Sequence, residues 1–235
     1  LSNIAKARNT GIEFNIGWRE NRGDFSYDLS LIGTTLKNKV VSVNQNLPPL
    51  ENGANVTKVG YPIGGFWGYE VLGIYQNKQI IEETASIDGA TPGDLWYKDQ
   101  NGDGVIDKDD RIYMGSYLPK VTLGLNMRFA YKGVDLEMDL YSSLGNKIYS
   151  TRRQTLGVSP YNVTTDYLHS WVGEGSTNKT TRVLLDGPGT NNQYSQYYVE
   201  NGSYFKIRNL TLGYTFPQRI SSKMKMRNLR VYFSV

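Results

Sequence analysis

The sequence predicts an all-β protein: about six antiparallel strands from the wall of a larger transmembrane β-barrel, with two long extracellular loops. Three observations predict it. Apolar residues recur at every second position through runs of about ten residues, the length a tilted strand needs to cross a bilayer. The links between these runs alternate between very short and very long. Tyrosine outnumbers phenylalanine 18 to 7, beside 4 Trp and 25 Gly. A ring with a wet hydroxyl suits membrane-interface belts and carbohydrate-binding surfaces.

Taken in order, Ile12, Phe14, Ile16 and Trp18 alternate with Glu13, Asn15, Gly17 and Arg19, giving a strand over 11–20 with one apolar face. Asn21-Arg22-Gly23 turns the chain. Phe25, Tyr27, Leu29 and Leu31 then alternate over 24–36, so the two runs form a hairpin. The tripeptide Arg22-Gly23-Asp24 spells an adhesion motif, but the turn accounts for it. Over 120–132, Val121, Leu123, Leu125, Met127, Phe129 and Tyr131 share a face. Lys132-Gly133 turns the chain, and over 134–144 Val134, Leu136, Met138 and Leu140 alternate with Asp135, Glu137, Asp139 and Tyr141. Phe205 and Ile207 run out of phase with Leu210, Leu212, Tyr214 and Phe216. That slip predicts a strand over 203–216 with a β-bulge near Arg208-Asn209. Leu229, Val231, Phe233 and Val235 mark the last strand, 229–235.

The loops over 43–118 and 145–202 are of a length uncommon in compact soluble domains. Short turns at one end and long loops at the other are the pattern of an outer-membrane barrel. An unpaired charge facing lipid costs ~2–4 kcal/mol at the midplane. Ile16, Leu29, Leu125, Met127, Leu136 and Met138 should therefore face lipid, and Glu13, Asp28, Arg128, Glu137 and Asp139 the lumen. Six strands cannot enclose a watery lumen, and open edges in lipid leave backbone groups unpaired, so further strands are expected.

Composition removes other classes. With 235 residues, 26 Lys+Arg and 22 Asp+Glu, the net charge of +4 is too mild to imply nucleic acid. The absence of cysteine excludes disulfide scaffolds, thiolate zinc sites and cysteine nucleophiles. Mean hydropathy is −0.48, and no run reaches the ~18 apolar residues of a spanning helix. The sequence opens on Leu1 without a signal peptide, so a piece of a longer chain is expected. The single His169 has no nucleophile arrangement around it and no Gly-x-Ser-x-Gly elbow exists, so catalysis is not expected. Arg219, Lys223, Lys225 and Arg227 read as a solvated periplasmic edge.

Two loop features carry chemistry. From Asp99 to Asp110 the chain matches a calcium-loop pattern. Asp99, Asn101 and Asp103 would offer side-chain oxygens, Val105 its carbonyl, Asp107 a direct or water-borne contact, and Asp110 the closing ligand. Calcium takes six to eight hard oxygens, and a Gly-rich turn lets alternate side chains converge. Asp at the twelfth position reaches less far than the usual Glu, which weakens such a site. A metal here would be structural, its removal loosening the loop; an acidic solvated turn is the other reading. The first long loop also carries Tyr61, Phe66, Trp67, Tyr69, Tyr75, Trp96, Tyr97, Tyr113 and Tyr117. Such rings either stack on a sugar or peptide ligand, with Trp67, Tyr69, Trp96 and Tyr97 as candidates, or pack the loop into a small core of its own. Gly60–Gly68 lacks the Lys and following helix of a phosphate loop and reads as backbone turning.

A family resemblance rests on Gly60-Tyr61-Pro62-Ile63-Gly64-Gly65-Phe66-Trp67-Gly68-Tyr69 and Gly73-Ile74-Tyr75-Gln76. It continues through Pro92-Gly93-Asp94-Leu95-Trp96-Tyr97-Lys98-Asp99 to Asp110-Arg111, then Gly115 and Leu118-Pro119-Lys120. Asn201-Gly202-Ser203-Tyr204-Phe205-Lys206-Ile207-Arg208-Asn209-Leu210-Thr211-Leu212-Gly213-Tyr214 and Leu229-Arg230-Val231-Tyr232 complete it. In these the chain resembles the C-terminal part of the SusC/RagA family of TonB-dependent outer-membrane transporters of Bacteroidetes. The resemblance implies a plugged barrel of about 22 strands, import of oligosaccharides or peptides, energy from TonB through an N-terminal part not seen here, and a SusD-like lipoprotein lid. It also implies outer-membrane lipid around the wall. The rival reading is a soluble surface glycan-binding β module with a structural calcium; a calcium-dependent interaction module is weaker, since only one such loop occurs.

Overall fold

The computed structural model describes residues 4–44, 50–156, 164–184 and 189–235, so parts of both expected long loops, 45–49, 157–163 and 185–188, lie outside the described residues. The chain divides into two units. One comprises Asn9–Asn38, Leu118–Asn146 and Gly202–Val235; the other Leu1–Arg8, Lys39–Tyr117 and Lys147–Asn201.

The first unit is a sheet of six antiparallel strands, labelled β1 (Glu13–Arg22), β2 (Phe25–Thr35), β3 (Val121–Tyr131), β4 (Val134–Leu144), β5 (Tyr204–Thr215) and β6 (Arg230–Ser234). Their order across the sheet is β6-β5-β4-β3-β2-β1. Two tight turns set the hairpins. Gly23 takes φ +61° between β1 and β2, as the first position of a two-residue loop asks. Between β3 and β4, Lys132 and Gly133 both take positive φ, 48° and 89°, the pair of values a type I′ turn requires. Register then aligns the faces. One apolar row runs Trp18, Leu29, Met127, Met138, Leu210, and a second runs Ile16, Leu31, Leu125, Leu140, Ile207. The β4–β5 register shifts between Asp139 and Leu140, whose partners are Asn209 and Ile207, leaving Arg208 as the extra residue of a bulge.

None of the described apolar side chains in this sheet unit is buried; every buried apolar residue, from Val40 to Tyr198, belongs to the other unit. Trp18 is 65% exposed, Phe205 65% and Phe233 70%. An apolar face left unburied across six strands is more than a water-soluble surface ordinarily carries, and it matches the face that alternation predicts for lipid. Among the described residues no helix is long and apolar enough to cross a membrane.

Each strand lies within two residues of its alternating run. Two further strands, Ala5–Thr10 and Lys37–Val43, pair as a separate two-stranded sheet that the polar composition of both segments conceals. Gly11 lies in the chain between Ala5–Thr10 and β1. A Cβ there would lie 1.8 Å from the Thr35 carbonyl oxygen, so only glycine admits the approach.

The second unit holds its own core. Gly65–Tyr69 pairs with Arg111–Gly115 on one side and Asn55–Val56 on the other, and Val71–Ile74 pairs with Leu95–Tyr97. Lys147–Tyr149 pairs with Val199–Asn201. The helix Lys78–Glu83 starts at Asn77, whose side chain accepts the Ile80 amide at 3.1 Å. Tyr69, Leu95, Tyr97 and Ile106 form one buried cluster; Ala54, Phe66 and Met114 form another.

Candidate functional site

The polar face of the sheet carries a charge ladder that follows from alternation and register. Arg19 lies opposite Asp28, Asp28 opposite Arg128, and Arg128 opposite Glu137. Arg19 and Asp28 form an ion pair, and the Arg128 guanidinium donates to Glu137 at 2.8 Å. Across β5, Arg230 donates to Asp135 at 3.1 Å over Gly213, where a Cβ would come within 2.6 Å of both side chains. These pairs are solvent-exposed, so their contribution to stability is small. Their consequence is a hydrated face backing an apolar one, with Ser30, Asn126, Asp139 and Asn209 forming a further polar row and the Ser30 hydroxyl donating to Asn15 at 3.1 Å.

The Asp99–Asp110 segment is tied by its own side chains to backbone amides. Asp99 accepts from the Gly102 and Gly104 amides at 2.6 and 2.9 Å, Asn101 from Asp103, and Asp103 from Val105. The Gly104 amide, with the other backbone donors, holds the Asp99 carboxyl below the usual carboxylate range. Asp107 caps the short turn Lys108–Asp110, and Asp110 returns the bond to the Asp107 amide at 2.8 Å. Asp110 is fully buried, its other oxygen accepting the Gln100 amide at 2.8 Å. Among the described residues, no three acidic or histidine side chains stand grouped to hold a metal ion.

The four aromatic candidates divide by burial. Trp67, Tyr69 and Tyr97 are 8%, 4% and 2% exposed, so their rings fill the loop core and offer no free face to a ligand. Trp96 is half-buried and stacks on Tyr75 at 5.8 Å between centroids. Exposed Tyr61 packs edge-on to Trp67 at 4.8 Å, and the Lys58 ammonium sits 4.6 Å over the same indole. Exposed His169 ends the short turn Thr165–His169.

Sequence reading missed the polar centre of this unit. Asp94 is fully buried and pairs with Arg182 at 2.8 Å. It also accepts from Asn191 at 3.0 Å and from the Thr91 amide and hydroxyl, each at 3.0 Å. Asn191 in turn accepts the Leu95 amide at 2.7 Å. Asn178 accepts the Ile74 amide at 2.7 Å, beside Gly73. These bonds join the two long loops into one unit and satisfy a charge that burial would otherwise penalise.

Burial pushes Tyr75 up to about 12 and raises Tyr97, Tyr149 and Tyr198 as well. A tyrosine whose folded pKa exceeds its unfolded value of about 10 contributes stability that is complete below that pH and lost as pH climbs through the folded value. The loop unit is therefore expected to open cooperatively between about pH 10 and 12, with tyrosinate absorbance rising in one transition. Stepwise ionisation of surface groups alone would contradict this.

No protein-family model matches the chain. It is 30% identical, over its whole length, to TonB-dependent receptor P3 of Formosa agariphila, of which it spans 24%. It is 27% identical over 228 residues, 91% of this chain and 21% of that protein, to TonB-dependent receptor SusC of Bacteroides thetaiotaomicron. Among solved structures it superposes on a chain of the RagAB peptide transporter with TM-score 0.76 and 19% identity, covering 99% of this chain and 26% of that one. The "open-open" state of the RagAB peptide importer gives 0.71 at 18% identity, covering 97% of this chain and 25% of that one. The likeness shows the fold, an antiparallel β-barrel wall segment with its loops. The chain spans about a quarter of the length of these relatives.

Proposed function

Since the chain is similar along its whole length to TonB-dependent receptors of the SusC/RagA type, we propose that it forms an arc of the barrel wall in an outer-membrane importer of oligosaccharides or peptides. The observation that carries this reading is the bare apolar face of the sheet, set against a hydrated face that would line the lumen. β1 and β6 are the edges of the sheet, and in lipid each edge must be closed by neighbouring strands. The loop unit, with its own core, would supply the extracellular loops that a SusD-like lipoprotein lid covers. TonB would act through another part of the receptor, and no step here needs an enzyme. The test is substrate uptake by cells carrying the full-length receptor. Uptake should depend on the proton-motive force and cease when TonB is deleted; uptake that persists without TonB sinks the proposal. A soluble glycan-binding module would instead bury the very side chains that stand exposed here.

The Asp99–Asp110 segment enters this reading as a brace for the first loop, with Ca2+ the cation its oxygen spacing suits. Gly104, φ +86° at the sixth position, supports that role. Asp110 is already committed to two amides, and a cation would have to draw Asp103 and Asp107 toward Asp99. Binding is therefore expected to be weak, at about 10⁻⁴–10⁻³ M. Calorimetry on the full-length receptor should show a saturable heat that Asp103→Ala abolishes. A flat titration at millimolar Ca2+ leaves the segment as an amide-capped turn.

A further inference from the structure

The polar face of the sheet has one concave patch whose chemistry the transport reading does not absorb. Around a recess of about 260 Å³ stand Thr122, Asn126, Asp139, Tyr141 and Arg208. Its floor is Gly124, which lies opposite Tyr141 in the β3–β4 register; a Cβ at Gly124 would meet nothing within 4 Å, so the space above it is open. The bulge at Arg208 brings Lys206, Arg208 and Asn209 to this side of β5, where regular pairing would have turned Asn209 to the apolar face. The Arg208 guanidinium lies 5.1 Å from the Tyr141 ring centroid, and the Lys206 ammonium 5.9 Å from it. Tyr204 extends the platform, 5.9 Å from Tyr141 and 5.8 Å from Lys206. Both cations are exposed, and among the described residues neither forms an ion pair.

We infer that this recess is a subsite for one acidic sugar unit of the imported ligand. Arg208 and Lys206 receive its carboxylate, while Asp139, Asn126 and Thr122 bond its hydroxyls. Two cations set over aromatic rings and engaged in no ion pair among the described residues form a positive pole on one side of the recess, and the planar guanidinium suits a planar carboxylate. Asp139 decides between ligands of like charge. As an acceptor it takes hydrogen bonds from the ring hydroxyls of an acidic sugar, donors that an aspartate or glutamate side chain of a peptide does not carry. The recess holds about one hexose-sized unit. The inference rests on the importer reading, because only there does this face line a ligand path.

The experiment uses the full-length receptor in detergent, titrated with a galacturonate oligosaccharide, its neutral galactose counterpart and an Asp-rich tetrapeptide. The galacturonate should bind most tightly, weakening with added salt. Arg208→Gln should lower its affinity about tenfold, the worth of one charge-assisted bond, and leave neutral-sugar binding within about twofold. Lys206→Gln should act in the same direction, and Arg208→Lys should restore part of the loss. Equal affinity for acidic and neutral sugars, or no change in Arg208→Gln, overturns the subsite; tighter binding of the tetrapeptide overturns the sugar assignment. Either result alongside intact TonB-dependent uptake fails this inference alone, whereas loss of TonB dependence fails the importer reading beneath it.

Discussion

Met138→Arg should stop the wall from assembling. Met138 sits between Met127 and Leu210 in an apolar row, and Leu125 between Leu31 and Leu140 in the next. An arginine at either position places a guanidinium in hydrocarbon without a partner, at about 2–4 kcal/mol near the midplane, enough to shift insertion by one to three orders of magnitude. Thr122→Arg is the control. Thr122 lies opposite Thr34 and Ser143 on the polar face, where the new charge stays hydrated. Membrane-assembled receptor, scored as the heat-sensitive fast-migrating band in unboiled gels, should vanish for Met138→Arg and Leu125→Arg and persist for Thr122→Arg. Equal assembly of all three would mean the apolar rows do not meet lipid.

Asp94→Ala should release the loop unit while leaving the wall in place. Removing this carboxylate strands Arg182, the Asn191 amide and both Thr91 donors at a buried site. Losing one partner of a buried, hydrogen-bonded pair costs about 3–5 kcal/mol; partial exposure of Arg182 favours the lower end. Hydrogen exchange should accelerate over residues 91–97 and 178–184 with little change in Val121–Leu144. Asp94→Asn keeps one oxygen for the two Thr91 donors but loses the charge and the acceptor facing Arg182, and should fall between wild type and Asp94→Ala. Unchanged exchange in Asp94→Ala would mean that the loops are held by their aromatic clusters alone.

The contrast between these sites explains what sequence could and could not reveal. The wall was legible because a single-layer sheet has one solvent on each face, so period two survives along every strand, and the slip at Arg208-Asn209 reads directly as a bulge. Ala5–Thr10 and Lys37–Val43 lack that alternation and stayed hidden. In the loop unit, strands of two to five residues are too short to show a period. Trp67, Tyr69 and Tyr97 could have been binding surface or core; only placement decides, and it puts them inside. Asp94 stood within a recognisable segment, but nothing local announces Arg182 as its partner. The spacing Asp99, Asn101, Asp103 reads as a calcium loop or an acidic turn, whereas the bonds of these side chains to nearby amides and the burial of Asp110 had no signal in the sequence.

The bonds from Asp94 to Arg182 and from Ile74 to Asn178 span 88 and 104 residues, with the β3–β4 hairpin lying between their ends in the chain. Closing so wide an interval is slow compared with forming a hairpin. The earlier loop can gather its rings but cannot lock until the later one has been delivered. The hairpins can therefore form before the loop unit closes, and protease accessibility of the loop unit should outlast pairing of the sheet.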